Sequence, residues 1–140
     1  MLVNLKTIDD LNEQQSQDIE IGARLPGHLR APCIVHCQFD VKVFKNYYLL
    51  TLRSESLLTV ICQRCLGEFS NPYKNQTELA VCDSDETAER MMHHYDCIVS
   101  DEWVDLQALL TDELYLYSPE FHLNLELCDH EMERFFRIKS

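Results

Sequence analysis

Residues Cys33 to Val43 alternate between apolar and polar side chains, with Cys37, Phe39, Val41 and Val43 on one face and His36, Gln38, Asp40 and Lys42 on the other. A period of two is the repeat of a β-strand with one buried face, and a helix would scatter the same residues around its axis. The pattern continues downstream. Lys45-Asn46 predicts a turn into a strand over Tyr47 to Arg53, Ser54-Glu55-Ser56 a second turn, and Leu57 to Cys62 a further strand. Asn71-Pro72 predicts another break before Tyr73 to Cys82, where Tyr73, Thr77, Leu79 and Val81 alternate with Lys74, Gln76, Glu78 and Ala80. Four antiparallel strands with short links make a β-meander, open or barrel-like.

One helix is predicted to pack on that sheet. Asp105 is suited to cap it, and Leu106, Leu109, Leu110, Leu114 and Tyr117 recur at helical spacing until Ser118-Pro119 ends it. The opposite face carries Gln107, Thr111 and Asp112 with Glu113 beside them, and no basic residue lies between Trp103 and Phe121. The expected class is therefore α+β: an antiparallel meander with one main acidic helix. At 140 residues a single domain, 1–140, is expected.

The flanks are less patterned. Residues 1–32 read as a loosely packed N-terminal segment, polar and Gln-rich from Asp9 to Glu20, with Asp10 a candidate cap for a short helix. Asp83 to Arg90 lacks apolar periodicity and reads as a loop or frayed helix, and Tyr95 to Val99 as a short edge strand. Phe121, Leu123, Leu125 and Leu127 alternate with His122, Asn124 and Glu126, which favours an extended segment ahead of a tail over 131–140.

The net charge of −12 is unevenly placed: through Lys74 there are eight basic and eight acidic residues, and from Asn75 onward four against sixteen. Nucleic-acid affinity rests largely on Lys and Arg displacing counterions, so the acidic half suits a basic protein partner, and any RNA contact falls to the first half. No stretch is long and apolar enough to span a bilayer, and the N-terminus lacks the features of a secretory signal, so a cytoplasmic protein is expected. In a reducing compartment an odd count of seven cysteines argues for free thiols and against a disulfide framework.

Cys62-Gln63-Arg64-Cys65 stands directly after an apolar strand. A Cys-x-x-Cys pair serves as a redox couple, as half of a zinc site, or as two reduced residues shaping a turn. The redox use favours a helix N-terminus that lowers one thiol pKa, and no helical pattern follows here. Zinc needs four ligands, and Gly67 would let backbone amides approach the sulfurs. Cys128 with His130 is the better completion, because Cys33 and Cys37 share a strand face at a separation that keeps both from turning to one ion. Apart from that candidate zinc ion no cofactor is expected. Enzyme signatures are missing: there is no Gly-rich phosphate loop and no nucleophile elbow, and adjacent His93 and His94 diverge on either a strand or a helix.

The Cys62-Gln63-Arg64-Cys65-Leu66 turn, then Asp105-Leu106 opening a helix through Asp112-Glu113-Leu114 to Pro119, with Cys128 beyond, resembles the YceD family. These are the large ribosomal RNA subunit accumulation proteins of bacteria and plastids. The likeness spans roughly residues 33 to 128. It implies a non-enzymatic ribosome biogenesis factor that supports synthesis or accumulation of large-subunit (23S) ribosomal RNA, and it marks Cys62, Arg64, Cys65, Asp105, Asp112, Glu113 and Pro119. Two departures stand out: many relatives have a second proline where this chain has Phe121-His122, and some have a second cysteine pair where it has Cys128 alone. On this reading Gln63, Arg64, Asp105, Asp112 and Glu113 meet a large-subunit precursor, a basic ribosomal protein or ribosomal RNA. The alternative is a small zinc-binding or redox-sensing regulator acting through Cys62 and Cys65.

Overall fold

The computed structural model describes residues 2–11, 14–22, 24–122 and Cys128. Its elements in chain order are β1 (Leu2–Asn4), α1 (Leu5–Leu11), β2 (Gln15–Ile21), β3 (Cys33–Val43), β4 (Tyr47–Ile61), β5 (Glu68–Cys82), α2 (Asp85–Met91), β6 (Asp96–Val99), β7 (Trp103–Asp105) and α3 (Leu106–Tyr117). Five strands form one open sheet in the order β2-β3-β4-β5-β6, antiparallel except for the β5–β6 pair, while β1 and β7 pair separately. The class is the α+β meander expected, and with β2 and β6 as its two edges the sheet does not close into a barrel.

The alternation of β3 is realised as far as Val41: Cys33, Val35, Cys37, Phe39 and Val41 are buried, whereas Val43, at the hairpin tip, is exposed. The long hairpin that follows corrects two expectations. Ser54-Glu55-Ser56 is no turn, because Tyr47 to Ile61 is one fifteen-residue strand in which these residues pair with Asn75, Lys74 and Tyr73. Ser54 is polar because its face meets the buried carboxyl of Glu113, to which its hydroxyl donates at 3.4 Å. Asn71-Pro72 does not break β5 either. Pro72 pairs with Leu57 where no second strand flanks β5, since β6 reaches only Leu79 to Cys82, and an imide lacking N–H is tolerated at such an edge.

The N-terminal stretch carries more structure than its composition announces. The helix begins at Leu5, ahead of Asp10, with Asn4 Oδ1 accepting from the Thr7 amide at 3.0 Å. Gln15–Ile21, read above as polar, is the edge strand β2, and it turns Ile19 and Ile21 into the core. The segment over Asp83 to Arg90 is the helix α2, capped by Ser84, whose side chain accepts from the Thr87 amide.

α1 and α3 place Leu5, Ile8, Leu106, Leu110 and Leu114 in one cluster with Val35, Cys37, Leu50, Leu52, Leu58 and Val60 of the sheet. Truncating any one such leucine to Ala costs roughly 2–5 kcal/mol, against about 1 kcal/mol for losing a helix cap, so burial decides where α3 sits. Asp105 supplies that cap, accepting from the Gln107 and Ala108 amides. The polar face of α3 differs from expectation. Gln107 and Asp112 are exposed, whereas Thr111 and Glu113 are buried, and Tyr115, Leu116 and Tyr117 face outward. No helix among the described residues is long and apolar enough to cross a membrane.

Candidate metal centre

The turn after β4 is narrow. The Cys62 amide donates to the Gly67 carbonyl at 2.9 Å and the Leu66 amide to the Cys62 carbonyl at 2.7 Å, which folds Cys65 back beside Cys62. The left-handed residue that this requires is Leu66, at φ 63°, and not Gly67. A side chain there is unfavourable by about 1–2 kcal/mol, a strain that the surrounding hydrogen bonds must offset.

The chain after α3 returns to this turn. The Gln63 amide donates to the Glu120 carbonyl at 2.8 Å, and Arg64 Nη2 donates to the His122 carbonyl at 2.7 Å while its guanidinium lies 4.9 Å from the centroid of the Phe121 ring. From the other side, the His28 carbonyl accepts from the Ile61 amide at 2.7 Å, and His28 Nε2 meets Ser118 Oγ at 2.7 Å. The end of β4 and the end of α3 are thus fastened to each other through both backbone and side chains.

Inside this junction Cys62, Cys65, His122 and Cys128 converge, with their ligand atoms all within 4.8 Å of one another. Cys62 Sγ is 3.4 Å from Cys128 Sγ, and His122 Nδ1 is 3.5 Å from Cys65 Sγ and 3.3 Å from Cys128 Sγ. Zinc–sulfur and zinc–nitrogen bonds in a tetrahedron place ligand atoms about 3.5–3.8 Å apart, and the Cys62–Cys128, Cys65–His122 and His122–Cys128 spacings are near that range. The four residues lie close enough to bind a metal ion. His122 is only 8% exposed and its ring stacks on Phe69 at 4.3 Å between centroids, which fixes its plane.

The electrostatics point the same way. Burial acts to raise the Cys62 thiol, but the amides of Cys65, His122 and Arg64 and the Cys128 thiol outweigh it and hold the pKa well below the usual thiol range. Burial and the neighbouring Cys62 and Cys65 sulfurs push Cys128 up. The cluster therefore accepts one negative charge readily and resists the next, and a bound cation removes that resistance.

Of the residues expected to ligate, Cys62, Cys65 and Cys128 come together, and His130 lies outside the described residues. His122 was missed because its alternation with Leu123 and its neighbours cast it as the polar face of an extended stretch. The signal was its place six residues before Cys128, a short-loop ligand spacing. Cys33 and Cys37 are both in the core and outside the cluster. Among the residues expected to meet a partner, Asp112 is exposed, Asp105 caps α3, and Gln63 turns its amide nitrogen to the Ile61 carbonyl at 2.7 Å. Arg64 is exposed yet tied to His122 and Phe121. Glu113 is 7% exposed and cannot serve as a docking carboxylate, because the helix face that carries it is turned to the sheet.

Compared with family models, with curated proteins and with solved structures, the chain matches none. Fold and site together define a class: a small α+β protein whose long β-hairpin and main helix meet at a three-cysteine, one-histidine cluster able to hold a metal ion.

Proposed function

We propose that this protein is a non-enzymatic, cytoplasmic ribosome biogenesis factor that supports synthesis or accumulation of large-subunit (23S) ribosomal RNA, with a zinc ion on Cys62, Cys65, His122 and Cys128. One observation supports the reading above others. The two motifs on which the YceD resemblance rests, the Cys-x-Arg-Cys turn and the helix ending at Pro119, meet at one junction through the Gln63–Glu120 and Arg64–His122 hydrogen bonds. A set of four protein ligands is the closed, structural kind of zinc site, which keeps no position open for substrate. Zinc here acts as a clamp that presents α3, and exposed Asp112 belongs to the surface offered to a basic ribosomal protein. Co-sedimentation of the tagged protein with large-subunit precursors, together with a fall in 23S ribosomal RNA on depletion, is the expected result. Absence from those particles with normal 23S levels would sink the proposal.

A second reading, a redox-sensing regulator, is favoured by the contact between the Cys62 and Cys128 sulfurs, which needs only a small approach to form a disulfide. Metal analysis of protein purified without chelator, alongside thiol titration, separates the two. Stoichiometric zinc with unreactive thiols supports the clamp, and a metal-free, rapidly oxidised pair supports the sensor.

A further inference from the structure

Away from the cysteine cluster, the tip of the β3–β4 hairpin and the approach to β7 border an open cavity of about 450 Å³. Four aromatic residues line it: Phe44, Tyr47, Tyr48 and Trp103. Phe44 and Tyr47 stack on each other with centroids 4.7 Å apart and planes 10° from parallel, and Trp103 lines the same cavity. Phe44 is 44% and Trp103 46% exposed, an unusual degree for such large apolar groups gathered at one place. The hairpin tip is held in position by the Phe44 amide on the Tyr47 carbonyl at 2.9 Å and the Asp83 amide on the Asn46 carbonyl at 3.1 Å.

The rim is acidic. Asp83, Asp101 and Glu102 line the cavity against a single cation, Lys45. Asp83 and Asp101 also have local work, accepting from the Thr87 hydroxyl at 2.9 Å and the Trp103 amide at 2.9 Å. The Glu102 carboxylate forms no hydrogen bond or ion pair among the described residues, while its backbone carbonyl accepts from the Leu5 amide at 2.7 Å. Aromatic faces carry negative potential at their centres, so rings combined with carboxylates favour a cation, and a planar guanidinium stacks on such rings better than an ammonium does.

From this geometry we infer that the Phe44–Tyr47–Trp103 cavity binds an arginine side chain of a basic partner protein. The site gives the basic partner proposed above a specific foothold. It rests on that reading only for the partner's identity, because its own chemistry is testable with a synthetic ligand.

Trp103 is the sole tryptophan, so its fluorescence reports directly on the cavity. The full-length protein is titrated with a capped hexaarginine peptide, and with hexalysine for comparison. The expected result is a saturable fluorescence change, at least threefold tighter for hexaarginine, and weakened fivefold or more by Phe44→Ala and by Glu102→Gln. Glu20→Gln removes the same charge from an exposed position opposite Ile34, at the far end of β3 from the hairpin tip, and is expected to leave the titration unchanged. Equal weakening by Glu20→Gln and Glu102→Gln would show diffuse attraction to an acidic protein and overturn the inference, as would an unsaturable change or equal binding of the two peptides. Melting curves of Phe44→Ala and Glu102→Gln verify that both variants are folded. Failure of the protein to co-sediment with ribosomal precursors leaves this result standing, and a negative titration leaves the ribosomal reading standing.

Discussion

The sulfurs of Cys62 and Cys128 lie 3.4 Å apart although 66 positions separate them in the chain. Between them run β5, α2, β6, β7 and α3, so whatever binds both sulfurs closes a loop over most of the second half of the fold. Loop closure of this kind stabilises mainly by restricting the unfolded chain, and for a metal site the binding free energy adds to folding free energy.

Zinc removal is therefore expected to cost stability. Protein purified without chelator should carry about one zinc, and treatment with a strong chelator should lower the melting temperature by about 10 °C or more, since each kcal/mol is worth roughly 2–8 °C in domains of this size. Cys128→Ser should melt near the chelated protein and respond little to chelator. A zinc-free wild type whose melting is indifferent to chelator would exclude the clamp.

Arg64 distinguishes a support of the site from a contact with a partner. Its guanidinium holds the His122 carbonyl and covers Phe121, so Arg64→Ala is expected to weaken zinc about tenfold, in the range for groups that orient metal ligands, with His122→Ala weakening it further. Competition against a chromophoric chelator measures both. If Arg64→Ala leaves zinc affinity unchanged but reduces co-sedimentation with ribosomal precursors, the residue belongs to the partner surface instead.

Asp105 and Asp112 sit on one helix and are expected to separate cleanly. Asp105→Ala removes the cap of α3 and should cost about 1 kcal/mol in denaturant unfolding, with precursor binding preserved once the protein is folded. Asp112→Lys, on an exposed position, should leave stability within about 0.5 kcal/mol and weaken co-sedimentation. The reverse pattern would move the docking surface to the start of the helix.

How much of this was legible in the sequence varied with the physics involved. The period-two runs of β3 and the capped, leucine-spaced α3 were legible because each burial pattern is local to its own element. The single strand β4 was not, because Ser54 owes its burial to Glu113, 59 residues away, and polar residues in a row read as a turn when that partner is unseen. Edge strand β2 was hidden because most of its side chains stay outside the core, leaving only Ile19 and Ile21 as signal. Three of the four converging ligands were visible as cysteines. His122 was not, since the reach of the chain from Pro119 back to the turn depends on hydrogen bonds to Gln63 and Arg64, which no local pattern announces.

Glu113 carries the last prediction. Burial raises its pKa above the ordinary carboxyl value, and hydrogen bonds from Thr77, Asn75 and Ser54 offset only part of this. Its charge in turn adds to burial in pushing the Tyr73 hydroxyl up to about 12. The folded protein therefore holds the Glu113 proton more tightly than the unfolded chain does, and its contribution to stability is fully present below the unfolded pKa. It is lost as pH rises through the raised folded value, leaving an ionised carboxylate against the sheet at alkaline pH. Glu113→Gln keeps the shape and one acceptor without the charge. It is expected to stabilise the protein by about 1 kcal/mol at pH 8, to be nearly neutral at pH 4, and to flatten the fall in stability between them. Urea unfolding of both proteins across that range is the measurement. Glu113→Gln less stable than the wild type at pH 8 would mean that the carboxylate is favourably paired there, and the direction assigned to its pKa would be wrong.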